Sequence, residues 1–227
     1  FWVIGLSMLV PLLWMISTAC KMEADVFNFP IQWIPPRWNL KENMKEVWGG
    51  TYNFGLYYLN SIKVTVGATI LQVFVSALGA YGFSKVHFKG RDKIFLAYLA
   101  TMMIPPQVTI VSQFIITREI GLYNSHTGLV LMLAFSVYGV FLLRQAMLAI
   151  PESLSESAKI DGAGHVTIFF QIILPMVKPS LATLATLKFV WTWNDYQTPL
   201  VFLNSRELYT IQLGMKQFAS ESGSYYS

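Results

Sequence analysis

The chain has 227 residues, 54% of them hydrophobic and only 12% charged, with a formal net charge of +4. Soluble domains carry about 25% charged residues, so a soluble globular enzyme is excluded as the class. The modest positive charge says little about nucleic acid, which is not an expected partner, and the lone Cys20 leaves neither an internal disulfide nor a pair of thiolates for a metal.

Four windows lack Asp, Glu, Lys and Arg: 1–19, 64–84, 94–117 and 121–143. Each matches the roughly 20 helical residues that cross a bilayer core. A fifth, 168–203, is interrupted by Lys178, Lys188 and Asp195. The expected fold is all-α, a polytopic transmembrane helical bundle with five visible spans. Phe1 already lies in an apolar run, with no initiator Met and no basic signal-peptide region before it. Residues are therefore expected to be missing at both ends, a sixth span after the polar segment 204–227 among them. Two regions are expected: 1–59, a truncated first span with its outer loop, and 60–227, a C-terminally incomplete core.

The segments between windows set the orientation. After the first window, Lys21, Arg37, Lys41 and Lys45 are balanced by Glu23, Asp25, Glu42 and Glu46. Trp33, Trp38 and Trp48, with Tyr52, Tyr57 and Tyr58, suit a water-exposed segment near the outer interface. Between the second and third windows, "SKVHFKGRDK" packs Lys85, Lys89, Arg91 and Lys93 against Asp92 alone. The positive-inside rule puts this loop in the cytoplasm. Alternation then places Arg118 and Glu119 outside, 151–170 inside and 204–227 outside. Within the third window, Pro105 and Pro106 are expected to kink or break the span.

The fourth window is followed by "ESAKIDGAGHVTIFFQIILP", residues 156–175. Pro151 suits the first turn of a helix on which Leu154, Ala158 and Ile160 can share an apolar stripe. Gly162 permits the left-handed cap that ends it. Ile168, Phe169, Ile172 and Ile173 open a second amphipathic helix, and Leu174–Pro175 is expected to bend the chain towards the fifth span. Such a short element needs a partner surface, either a protein or the lipid headgroups.

In the fifth window "TWNDYQ" gathers Trp193, Asn194, Asp195 and Tyr196. Aromatic faces and amides are what a sugar pathway uses, and an interfacial anchor is the plainer alternative. Lys188 lies seven residues before Asp195, on nearly the same helix face, and should point into the bundle or pair with an acid. An ion relay through Lys188 and Asp195 would make the chain a stand-alone secondary transporter. No internal repeat supports that alternative. His87, His126 and His165 are scattered over both predicted membrane faces, so no metal site is expected.

The motifs carry a resemblance. Glu156, Ala158, Gly162, Ile172, Leu174 and Pro175 stand at the spacings of the EAA loop of ABC importer permeases, with Ser157 in place of the first of its two alanines. "NSIKVTV", "ALGAYGFSKVHFKGRD", "TMMIPPQVTI", "GLYNSHTGL" and "WTWNDYQTPL" extend the similarity over 60–218. The chain resembles the carbohydrate-type, maltose-transporter-like permeases of bacterial or archaeal cell membranes. That resemblance implies half of a heterodimeric pore, paired with a second permease. Two ATPase subunits would dock on Glu156, Ser157, Ala158, Asp161, Gly162, Ile172, Leu174 and Pro175. An extracytoplasmic binding protein would deliver the carbohydrate and meet the outer tail at Leu213, Gly214, Met215 and Gln217. The chain itself would be no enzyme: ATP and Mg would sit in the ATPase partner, consistent with the lack of a G-x-x-x-x-G-K-[ST] phosphate cradle here.

Overall fold

The computed structural model describes residues 5, 7–26, 28–49 and 53–222, and among them the regular structure is entirely helical. It forms two compact units, residues 1–56 and 57–227.

The first unit holds α1 (Leu9–Ala19) and α2 (Leu40–Gly49). Their connection is fastened by buried polar anchors. Ser17 donates to the Trp33 carbonyl at 2.6 Å, and the Lys21 ammonium donates to the Gln32 carbonyl at 2.5 Å while lying 4.4 Å over the Trp14 ring. The Asn43 amide donates to the carbonyls of Ala19 and Lys21, each at 2.9 Å. The Asn43 amide from α2 thus satisfies two carbonyls left open where α1 ends. Trp33, Trp38 and Trp48 remain exposed, as the sequence leads one to expect. Tyr52 lies outside the described residues.

The long helix α3 (Phe54–Lys85) is, among the described residues, the one unbroken helix long and apolar enough to cross a membrane. It begins ten residues before the window at 64–84, because Asn53 Oδ1 accepts from the Leu56 N–H at 3.1 Å and caps it. Tyr57 and Tyr58 are consequently helical, and Tyr57 is buried rather than water-exposed.

The windows 94–117 and 121–143 are uninterrupted in composition but broken in backbone. α4 (Arg91–Ala100) and α5 (Pro106–Glu119) follow one another with a bend of 99°. The proline pair accounts for it: Pro105 is extended, and Pro106 sits in the first turn of α5. The window 121–143 does not begin as helix. Gly121 and Asn124 hold φ of +74° and +54° in a turn, and Ser125 then accepts from Gly128 N–H to open α6 (His126–Leu133). Ser136 caps α7 (Val137–Leu148) in the same way after a 47° bend.

After α8 (Glu152–Ile160), α9 (His165–Met176) meets α10 (Lys178–Trp193) at 78°. The sequence puts that bend at Leu174–Pro175, but the chain turns at Val177, where φ and ψ leave the helical region. A π-helical stretch over Ile168–Ile173 runs up to Pro175, and Pro179 occupies the first turn of the next helix. Counting each bent pair as one span gives up to four among the described residues by length and composition, with α1 a shorter apolar helix. α11 (Gln197–Phe202) and α12 (Ile211–Ser222) complete the chain.

One apolar core joins α3, α7, α9 and α10 through Ala80, Leu143, Met147, Ile168, Ile173 and Leu184. A Cβ on Gly139 would press on the Ser76 hydroxyl, so small residues set the approach of α3 to α7. A second cluster, Val64, Leu129, Phe202 and Leu203, lies towards the N-terminal end of α3.

Candidate functional site

The polar interruption folds as a helical hairpin. Its base is held to α3: the Lys85 ammonium donates to the Ile150 carbonyl at 2.7 Å, just before Pro151 turns the chain into α8. α8 ends in a Schellman motif, with Gly162 N–H donating to the Lys159 carbonyl at 3.0 Å and Ala163 N–H to the Ala158 carbonyl at 2.8 Å. Gly162 holds the left-handed position at φ +85°. Open space surrounds its Cα, so the glycine serves the backbone angle alone.

The hairpin has an inner and an outer side. Ser155, Ile168, Phe169 and Ile173 are buried, and Ala158, Ile172 and Leu174 are half-buried. Glu156, Ser157, Asp161, Gly162 and Pro175 are exposed. The stripe expected of Leu154, Ala158 and Ile160 does not form. Ala158 faces the core beside Ser155, whereas Leu154 is 41% and Ile160 86% exposed. Ile160 follows Ala158 by two residues, about 200° around the helix, which carries it to the opposite face. The outer side of α8 is thus charged with two apolar side chains set into it. Tyr81, part of the block "ALGAYGFSKVHFKGRD" but given no role from the sequence, reaches this element from α3: its hydroxyl lies 2.9 Å from His165 Nδ1, and its ring meets Phe169 edge-on.

The residues of "TWNDYQ" separate in space. Trp193 stacks on Phe189 at 5.9 Å and approaches Tyr58 at 6.3 Å. Asn194 donates to the Val190 carbonyl at 2.8 Å and accepts from Gln212 at 3.4 Å. Consecutive residues at the end of α10 thus carry an aromatic stack and an amide bonded to α12. Asp195 instead caps α11, accepting from the Thr198 N–H at 3.0 Å, and Tyr196 is half-buried beside it. Lys188 points into the bundle, 7% exposed, with no hydrogen bond or ion pair among the described residues.

The tail is tied to the N-terminal end of α3 by side chains of the blocks "NSIKVTV" and "GLYNSHTGL", to which the sequence assigned no individual role. The Asn60 amide donates to the carbonyls of Glu207 and Tyr209 at 2.7 and 3.1 Å, and Ser61 accepts from the Ile211 N–H at 2.7 Å. Asn124 accepts from the N–H groups of Asn204 and Ser205. Leu213 and Gly214 are buried, with Gly214 set directly on the Tyr57 ring; Gln217 is half-buried and Met215 is exposed. Each histidine finds a separate partner: Glu152 for His87, the Leu208 carbonyl for His126 and Tyr81 for His165.

Comparison with known proteins places this architecture. The family described as "Binding-protein-dependent transport system inner membrane component" matches residues 72–223, from the middle of α3 through the hairpin to the tail. The chain is 35% identical to the probable ABC transporter permease protein YurM of Bacillus subtilis (strain 168), over 92% of this chain and 69% of that protein. It is 33% identical to the diacetylchitobiose uptake system permease protein NgcG of Streptomyces coelicolor, over 93% and 70%. A chain in the crystal structure of a bacterial ABC transporter for import of the acidic polysaccharide alginate superposes with a TM-score of 0.84. That match has 25% identity and covers 95% of this chain and 75% of the other. None of these relatives favours a stand-alone secondary transporter. The chain belongs to the family of binding-protein-dependent transport system inner membrane components and is a permease subunit of an ABC transporter.

Proposed function

We propose that this permease is one half of a heterodimeric pathway for a carbohydrate, driven by two ATPase subunits that bind ATP and Mg and dock on the α8–α9 hairpin. The observation that carries the reading is the two-sided hairpin. Glu156, Ser157, Asp161 and Gly162 are presented outward while Ile168, Phe169 and Ile173 root the same element in the core. A load applied to the outer side of α8 is passed to α9 and α3 through packed side chains rather than lost in a loose loop. Ala158, Ile172, Leu174 and Pro175 belong to the supporting frame. The carbohydrate class is supported by relatives named for diacetylchitobiose and alginate. Trp193 and Asn194 offer ring and amide groups to a passing sugar, with Asp195 and Tyr196 shaping the turn below them. On the tail, Met215 and the edge at Gln217 are the part open to a binding protein, and Leu213 and Gly214 hold that edge in place.

The test is co-purification and uptake in a bacterial inner membrane. A complex carrying Glu156→Lys should pair with the second permease yet lose the ATPase subunits and binding-protein-stimulated hydrolysis. Orientation is checked with an impermeant thiol reagent on single cysteines in a chain whose Cys20 has been replaced. Positions 90 and 159 should label only after the inside is opened, and position 215 from intact cells. Normal subunit content and coupled uptake in Glu156→Lys, or outside labelling at 159, would sink the reading.

A further inference from the structure

The elbow between α3 and α4 touches the hairpin through Lys85 and His87, and its remaining charges are unevenly used. Lys85 is turned inward to the Ile150 carbonyl. Asp92, the one acid of the loop, accepts from Arg144 at 2.9 Å and lies 3.4 Å from Arg91, so two guanidinium groups offset it. Arg144 is fixed in turn by the Phe83 carbonyl at 3.1 Å and lies over the Phe95 ring at 4.1 Å. His87 faces Glu152 at 3.5 Å. Lys89 and Lys93 are left exposed, with no hydrogen bond or ion pair among the described residues. Between them Phe88 is 43% exposed, its ring 6.3 Å from that of Phe83.

Residues 87–93 line one concave surface of about 550 Å³. It sits where the apolar length of α3 ends and just before the apolar run from Ile94 begins, which is the depth at which hydrocarbon gives way to headgroups. Basic residues beside a span attract anionic lipid, and long lysine stems and aromatic rings straddle that boundary.

We propose that this elbow is a binding site for the headgroup of an anionic phospholipid. Lys89 and Lys93 pair with the phosphate, and Phe88 packs at the glycerol and acyl boundary. Arg144 keeps the Asp92 carboxylate from repelling the lipid. The site is independent of which solute the transporter carries.

The test uses the full chain with its co-expressed partner subunits, purified in mild detergent. Retention of phosphatidylglycerol and of phosphatidylcholine is followed by native mass spectrometry. The wild type should hold phosphatidylglycerol about 25-fold more tightly, since each of the two lysines near an anionic surface contributes roughly fivefold. Lys89→Gln/Lys93→Gln should lose most of that preference, whereas Lys89→Arg/Lys93→Arg should keep it. Lys41→Gln/Lys45→Gln, remote in sequence and on α2, should change nothing. Three results overturn the proposal. The glutamine pair could retain the preference, or millimolar inorganic phosphate could displace the lipid fully and mark a free-anion site. The third is loss of the ATPase from the glutamine pair with lipid retention unchanged, which would give the patch to a protein partner.

Discussion

The hydroxyl of Tyr81 lies 2.9 Å from Nδ1 of His165, joining the C-terminal half of α3 to the first residue of α9. The Tyr81 ring also meets Phe169 at 5.2 Å, so one side chain links the hairpin to the longest helix by a hydrogen bond and by packing. Tyr81→Phe keeps the packing and removes the bond. The expected loss is about 1 kcal/mol of stability, read as a lower Tm in detergent. If the bond also transmits motion, uptake per ATP hydrolysed in proteoliposomes should fall. An unchanged ratio with the lower Tm would restrict Tyr81 to a structural role.

Gly162→Val tests the turn separately from the packing. A Cβ there meets nothing, yet φ is +85°, which costs a β-branched residue roughly 1–2 kcal/mol. The Schellman motif should loosen while the spans insert normally. ATPase subunits should still co-purify, and binding-protein-stimulated hydrolysis should become uncoupled from uptake. Gly162→Asn, which tolerates this angle, should restore most of the coupling.

Gly214→Leu should release the tail. The added Cβ would fall on the Tyr57 ring, and α12 cannot shift without straining the bond from the Ile211 N–H to Ser61. Overpacking of this kind costs about 1–3 kcal/mol. Limited proteolysis should cut the variant near 205–212 faster than the wild type. Pairing Gly214→Leu with Tyr57→Ala should recover resistance, and failure to recover would place the fault elsewhere.

Lys188→Met asks whether a buried cation is retained for stability. The ammonium makes no hydrogen bond or ion pair among the described residues, and methionine fills a similar volume without a charge. The variant is expected to be more stable by about 1 kcal/mol, measured as Tm. A loss of stability instead would show that the ammonium is held by the nearby Asp195 charge or by a partner in the assembled complex.

The class, the breaks at Pro105–Pro106 and the existence of the hairpin were legible in the sequence. Charge-free windows, proline backbones and a glycine at a helix end act through local chemistry, and the residues in question carry the signal themselves. It could not determine where the apolar windows stop being one helix. The bend at Val177, the turn at 121–125 and the early start of α3 at Phe54 depend on caps and prolines competing with runs whose hydrophobicity is unchanged across the break. Only folding turns Ile160 outward while Ala158 faces the core, and makes Asp195 a helix cap rather than a direct ion-pair partner of Lys188. The same holds for the links of Asn60 to Glu207 and Tyr209, and of Tyr81 to His165, which join residues far apart in the chain. A hydrogen bond needs its partner within about 3 Å, and no spacing along one strand of sequence specifies which distant carbonyl or ring folding will bring there.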